Sequence, residues 1–162
     1  MKVAITFIGT NRYLDYLPKY YENIEKYFLP NTEKVILAFT DGELNDTPDN
    51  LKVYHQEHLE WPFITLKRFE IINKARDVIE ECDWLVFIDA DALVVDKITE
   101  YEFFRFDKPL FGVHHPCHFL GMEPHNKAPG AYEQNKKCEA YVDVSTSLHP
   151  VYWQGCLWGG KV

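Results

Sequence analysis

The order of strand-like and helix-like runs predicts an α/β domain with a mostly parallel, Rossmann-like central sheet flanked by helices. Three observations carry that expectation. Residues 3–8 and 35–40 are short apolar runs, largely β-branched and aromatic, as strands prefer. Trp84–Ile88 is continuously apolar, the pattern of a strand covered on both faces. Between these runs, apolar residues recur at three and four, so strands alternate with amphipathic helices.

The elements follow in order. Residues 3–8 form a first buried strand, closed by Gly9. Leu17, Tyr20, Tyr21, Ile24, Tyr27 and Phe28 then mark one face of a helix, with Asp15 as its expected N-cap and Pro18 in its first turn. Pro30-Asn31 ends it, and residues 35–40 form the second strand. Asp41-Gly42 and residues 46–50 have loop chemistry, and Leu51–His55 is a shorter third strand. A long helix is expected from Trp61-Pro62, with Phe63, Leu66, Phe69, Ile72, Ala75 and Ile79 as its apolar face. Trp84–Ile88 is the fourth strand, and residues 109–113 are strand-like. Residues 114–140 are rich in His, Pro, Gly, Asn and Lys without periodicity, which predicts a long loop. Residues 141–144 and 151–153 read as short strands before Gly159-Gly160.

A length of 162 residues suits a single domain, residues 1–162, large enough to build a core without staples. Charged residues make up 26% and hydrophobic residues 46%, a soluble globular composition. The net charge of −8, with no Lys/Arg run longer than two, argues against nucleic acid and anionic membrane surfaces as partners. No apolar run approaches the ~20 residues that span a bilayer. The chain opens on a strand rather than a leader, and Cys82, Cys117, Cys138 and Cys156 form no Cys-x-x-Cys. A cytoplasmic setting with free thiols is expected.

Five segments carry candidate chemistry. Asp89-Ala90-Asp91 directly follows the fourth strand, where open α/β sheets bind ligands. Two carboxylates there suit a hard divalent cation, Mn²⁺ or Mg²⁺, or else they cap a turn. Arg68 lies in the second helix, where a guanidinium would limit carboxylate repulsion and touch a phosphate or sugar, or be a solvated surface group. Ile8-Gly9-Thr10-Asn11-Arg12-Tyr13 follows the first strand but lacks the Gly-x-Gly-x-x-Gly phosphate loop, which disfavours a dinucleotide. Gly9 would let a base approach the backbone and Tyr13 would pack on it; the bland alternative is an ordinary strand-to-helix turn. His114, His115, His118 and His125 match no zinc spacing, and one of them bonding a sugar hydroxyl is the better reading. Residues 152–160 interleave aromatics with glycines, as a sugar-binding wall or as a core strand. Cys156 within it has no nameable base partner as a nucleophile.

Taken in order, these segments resemble one family. They are Phe39-Thr40-Asp41, Trp61 through Glu70, Trp84 through Asp91, Pro109-Leu110-Phe111-Gly112 with His115-Pro116, Tyr132-Glu133, and Tyr152 through Gly160. The set is similar to the retaining α1,3-galactosyl/N-acetylgalactosaminyltransferases of the histo-blood-group ABO type, over nearly the whole chain.

That resemblance implies a GT-A fold and a UDP-galactose or UDP-N-acetylgalactosamine donor. It also implies a carbohydrate acceptor, transfer with retention, and Mn²⁺ (or Mg²⁺) on Asp89 and Asp91. The nucleotide-binding set it implies is Ile8, Gly9, Thr10, Tyr13, Asp41, Trp61 and Arg68, with Arg68, Asp89 and Asp91 at the reacting centre. His115, Tyr132, Gln154, Gly155 and Cys156 fall to the sugars, the last three in the strip that tunes galactose against N-acetylgalactosamine. In the family a further stretch follows Gly-Gly, with a His-Asp-Glu-Ser-like motif and a basic tail. The expectation is therefore a chain lacking that C-terminal segment, with impaired transfer. Val151, Trp153, Leu157 and Trp158 would then be uncovered and would drive self-association. Two alternatives stay open: a non-catalytic nucleotide-sugar-binding fragment, and a metal-dependent nucleotidyltransferase.

Overall fold

The computed structural model describes residues 1–114, 135–139, 141 and 153–162. The chain divides into two units, Met1–Phe111 with Cys156–Val162, and Gly112–Gly155. A six-stranded sheet is ordered β3-β2-β1-β4-β6-β5. Its strands are β1 Lys2–Ile8, β2 Glu33–Thr40, β3 Leu51–His55, β4 Trp84–Ile88, β5 Leu110–His114 and β6 Trp153–Lys161. β1 pairs in parallel with β2 (Lys2↔Glu33 to Ile8↔Phe39) and with β4 (Val3↔Trp84 to Thr6↔Phe87). β3 adds in parallel to β2, and β6 runs antiparallel to β4, from Trp84↔Lys161 to Ile88↔Leu157. The fold is thus mixed α/β with a mostly parallel sheet, as expected. Strand order reverses between β1 and β4, which opens a crevice at their carboxyl ends.

Period-two alternation sorts the side chains of this first unit into two cores. Val3, Ile5 and Phe7 of β1 and Trp84, Val86 and Ile88 of β4 face α1 (Leu17–Tyr27), meeting Leu17, Tyr20 and Ile24. Ala4 of β1, Leu37 and Phe39 of β2 and Phe87 of β4 face the opposite layer, with Ile71, Ile72, Ala75 and Ile79. The buried Lys34 directs its ammonium to the carbonyls of Ile24 (3.3 Å) and Phe28 (3.1 Å), tying β2 to the end of α1. Within the second unit, the Trp153 ring lies beside Gly112, the Cys138 amide donates to the Asn135 carbonyl and the Tyr141 amide to the Cys138 carbonyl.

Several expectations change. Asp15 is not the helix cap: a 3-10 segment Asn11–Tyr16 leads into α1, and Tyr16 occupies the cap position, with Pro18 in the first turn as expected. The expected long second helix is four short pieces, α2 Phe63–Leu66, α3 Arg68–Ile72, a 3-10 turn Asn73–Ala75 and α4 Arg76–Ile79. At Lys67 the backbone relaxes to φ −90°, ψ 10°, which interrupts the hydrogen-bond ladder. Its expected apolar face holds in the second half, where Ile72, Ala75 and Ile79 are buried, and is out of phase in the first. There Phe63, Leu66 and Phe69 are exposed, while Ile64, Arg68 and Ile71 turn inward. Residues 153–160 form one long strand rather than a short strand and a glycine turn. Leu157 and Trp158 pack inward, against the α1 core and against Phe87 respectively, so they form no open patch. Val151 and the strands expected at 142–144 lie outside the described residues.

Gly159 and Gly160 sit in mid-strand because backbone crowds them. A methyl at Gly159 would collide with the Leu85 carbonyl oxygen and, at 2.5 Å, with the Phe111 ring. Gly159→Ala is therefore expected to destabilise the fold by about 1–3 kcal/mol through overpacking. Urea unfolding of the two proteins measures it, and an unchanged midpoint would show that β6 does not press on β4 in this register.

Candidate functional site

The carboxyl ends of β1, β2, β3 and β4 lie on one edge of the sheet because the four strands are parallel. Each end contributes a segment. The segment after β1 runs Gly9-Thr10-Asn11, with Asn11 at φ 53°. Asparagine tolerates that left-handed conformation, and the Asp41 carboxylate after β2 holds it by accepting the Asn11 amide at 2.9 and 3.0 Å. Gly9 is required by packing, since a methyl would strike the Phe7 ring. Asp41 and Gly9 thus shape the turn that carries Thr10 and Tyr13.

A cleft of about 280 Å³ opens on this edge. Its lining draws on Ile8 of β1, Thr10 and Tyr13 of the segment that follows β1, and His58, Leu59 and Trp61 of the segment after β3. Phe87 of β4, Asp89, Ala90 and Asp91 just beyond it, Arg68 of α3, and Ile64 and Thr65 of α2 complete the lining. Tyr13 is 40% exposed and Trp61 82% exposed, so both stand at the rim.

The two carboxylates sit on a tight turn. The Ala92 amide donates to the Asp89 carbonyl at 3.0 Å, and the Asp89 amide donates to the Cys156 carbonyl of β6 at 2.9 Å. Ala90 is buried between the two aspartates, leaving Asp89 half-buried and Asp91 exposed. The chain beyond is clamped by Asn23 of α1, whose side-chain amide donates to the Val94 carbonyl (2.9 Å) and accepts the Val94 amide (2.8 Å).

Arg68 meets this turn from α3. Its Nη2 lies 3.4 Å from Asp89 Oδ1, and its guanidinium carbon stands 4.1 Å from the centre of the Phe87 ring. Phe87 in turn stacks on Trp158 at 5.1 Å, and Trp158 meets Phe69 at 5.0 Å. Burial pushes the Asp89 carboxyl above the usual carboxylate range; Arg68 opposes that shift and Asp91 adds to it. Burial likewise pulls the Arg68 guanidinium down against the attraction of Asp89. Two carboxylates therefore feel each other across Ala90, with one guanidinium between burial and charge. The donor set is all hard oxygen with room at the exposed Asp91 side, which fits a divalent cation that keeps open positions. Among the described residues, no group of three or more His, Cys, Asp or Glu side chains converges.

Of the residues the sequence singles out, Ile8, Thr10, Tyr13, Trp61, Arg68, Asp89 and Asp91 come together in the cleft. Asp41 and Gly9 stand behind it. Cys156 contributes its carbonyl to the Asp89 turn, while Gln154 and Gly155 belong to the second unit. His114 ends β5; His115, His118, His125 and Tyr132 lie outside the described residues. Sequence reading missed His58, Leu59, Ile64, Thr65 and Phe87. The signal for His58 was present: the strand-end rule applied to β1 and β4 applies equally to β3.

Burial and the nearby Asp89 charge both raise the Cys156 thiol. At pH 7.5 it is expected to react with iodoacetamide more slowly than free cysteine, because less of it is thiolate. Asp89→Asn should speed that alkylation. Peptide mass spectrometry reads both rates, and a Cys156 faster than free cysteine would contradict this electrostatic picture.

The sequence model described as Glycosyltransferase family 6 matches residues 1–162. The chain is similar to the O-antigen biosynthesis glycosyltransferase WbnI of Escherichia coli, with 29% identity over 163 residues, 99% of this chain and 66% of that protein. It is similar to histo-blood group ABO system transferases 2 and 1 of Rattus norvegicus, at 23% and 24% identity over 170 residues. Those alignments cover 99% of this chain and 48% and 46% of the rat proteins. The chain spans about two thirds of the length of the first relative and about half of the other two.

Proposed function

Because the chain belongs to glycosyltransferase family 6, we propose that its cleft binds a UDP-sugar, UDP-galactose or UDP-N-acetylgalactosamine. The sugar is transferred with retention to a carbohydrate acceptor. The observation that supports this most is that one cleft is lined both by apolar and aromatic side chains, Ile8, Tyr13 and Trp61, and by the charged Arg68, Asp89 and Asp91. A nucleoside diphosphate combines the same two chemistries. The uracil fits between Ile8 and Tyr13, and the diphosphate reaches Arg68, Asp89 and Asp91.

There Asp89 and Asp91 would hold Mn²⁺ or Mg²⁺ through their carboxylate oxygens. When bound, the ion supplies Lewis-acid stabilisation of the leaving diphosphate. Arg68 acts beside it. Its guanidinium stands over Phe87 and is paired to Asp89, so it is oriented before substrate arrives. In the transfer, the bond between the anomeric carbon and the diphosphate oxygen breaks, and its electron pair leaves with UDP. The acceptor hydroxyl oxygen forms the new bond on the face that the diphosphate leaves, and its proton passes to the departing diphosphate oxygen. Trp61 and Tyr13, exposed at the rim, supply flat surface that shields the bound nucleotide from water.

Calorimetric titration with UDP tests the reading. UDP is expected to bind more tightly with Mn²⁺ than with EDTA, and Asp91→Asn should remove most of that difference. Equal affinity in both buffers would sink the metal assignment. A donor-hydrolysis assay then separates outcomes: binding without turnover leaves only a nucleotide-sugar-binding role, and turnover of a nucleoside triphosphate replaces this reading with nucleotidyl transfer.

The aromatic rim gives a second expectation. Tyr13→Ala should weaken UDP by about 1–2 kcal/mol, five- to thirtyfold. Its partial exposure and its edge-on contact with Tyr16 (5.6 Å) leave it a small part of the core, so the melting temperature should hardly move. A large melting change with unaltered UDP affinity would make it a structural tyrosine.

A further inference from the structure

We infer that His58 and Thr10 act as one hydrogen-bonded unit that holds the nucleoside part of the ligand, with His58 a positioning and specificity-determining residue of the cleft. This rests on the UDP-sugar reading and goes beyond it by assigning the polar recognition of the nucleoside. Thr10, at the carboxyl end of β1, is only 4% exposed, and its hydroxyl lies 2.9 Å from Nδ1 of His58, 48 residues further along the chain. His58 belongs to the segment that follows β3. The bond therefore ties the segments after β1 and β3 together in the cleft lining, from a buried Thr10 to an exposed His58, and β2 lies between those strands in the sheet.

The geometry also orients the imidazole. A neutral ring has one donor and one acceptor nitrogen. With Nδ1 engaged by Thr10, Nε2 is the nitrogen left for a ligand. It is a donor if the Thr10 hydroxyl donates, and an acceptor if that hydroxyl accepts. Uracil presents acceptor, donor and acceptor groups along one edge, and ribose hydroxyls do both, so either tautomer finds a partner there. The surroundings place this contact at the nucleoside. Ile8, Tyr13 and Leu59 give the apolar surface that a flat base needs. The Arg68–Asp89–Asp91 group in the same lining carries the charge that suits the diphosphate. Thr10 and His58 are hydrogen-bonded to each other, so loss of either leaves the other without its orienting contact.

Titrations of the wild-type chain, His58→Phe, Thr10→Val, the double variant and His58→Asn test the inference. The ligands are UDP and, separately, inorganic diphosphate, both with Mn²⁺. Each of the first two substitutions is expected to weaken UDP about tenfold, the scale of one buried hydrogen bond. The double variant should lose little more than either single one, because the two groups act as a unit. His58→Asn should recover part of the loss, and diphosphate affinity should stay unchanged throughout. A His58→Phe protein that binds UDP as tightly as wild type overturns the inference and leaves the parent reading standing. So do additive losses, or an equal loss for diphosphate. A wild-type chain that does not bind UDP at all overturns the UDP-sugar reading, and this inference falls with it.

Discussion

Placing a half-buried carboxylate next to a second carboxylate costs free energy, and in this fold the guanidinium of Arg68 offsets that cost. The pairing is worth more than a surface ion pair because its arginine is largely buried, with 15% of the side chain exposed, and cannot wander. Its position depends on packing. Phe87 points away from the α1 core because β4 alternates, and it presents its face to the layer that carries α3. Trp158 of the antiparallel β6 backs that ring. A residue on β6 thus supports the ring on which a guanidinium from α3 rests. The carboxylate it pairs with stands just beyond β4. The same β6 also receives the Asp89 amide at the Cys156 carbonyl, so one strand fixes both partners of the ion pair.

The sequence made the strands legible because their signal is local. Leu51–His55 and Trp84–Ile88 are recovered residue for residue, since each is a short apolar or alternating run bounded by loop chemistry. Asp89 and Asp91 were legible for the same reason: they follow a strand end directly. Ile72, Ala75 and Ile79 were legible as the inward face, but the first half was not, because Phe63, Leu66 and Phe69 offer a good helical repeat while the backbone break at Lys67 lets Ile64 and Arg68 turn in instead. Periodicity assumes an unbroken helix, and it fails where the helix is interrupted. Asp41 lies near the cleft for a reason that no local pattern encodes, an asparagine in the left-handed region 30 residues away. Gly159 and Gly160 look like a turn in sequence and are mid-strand in space, because what demands their small size is backbone from β4 and the segment entering β5.

The remaining positional constraint runs through α1. Asn23 clamps Val94 by both halves of its amide, and the Leu29 and Ile98 amides close further bonds between the end of α1 and the chain after Asp91. The turn bearing the two aspartates is thereby held from both sides, by β6 before Ala90 and by α1 after it. An aspartate pair on a loose loop would move apart to relieve its repulsion. Here the backbone does not permit that, so the repulsion persists as a fixed feature of the site and can be lowered only by a proton or a cation.

That fixed repulsion, set in a chain of net charge −8, bears on how an anionic ligand is admitted. A diphosphate brought to the β4 end adds negative charge beside Asp89 and Asp91. Among the described residues lining the cleft, Arg68 is the one with a permanent positive charge, and Asp89 already draws on it. One guanidinium cannot neutralise two carboxylates and a diphosphate together, and in a partly desolvated cleft the uncompensated charge is expensive. The divalent cation proposed for Asp89 and Asp91 would reverse the balance by supplying the missing positive charge. In this reading the acidic pair gains its affinity for phosphate from the ion it carries. The apolar lining at Ile8 and Tyr13 needs no such help, and there the Thr10–His58 pair supplies direction rather than charge.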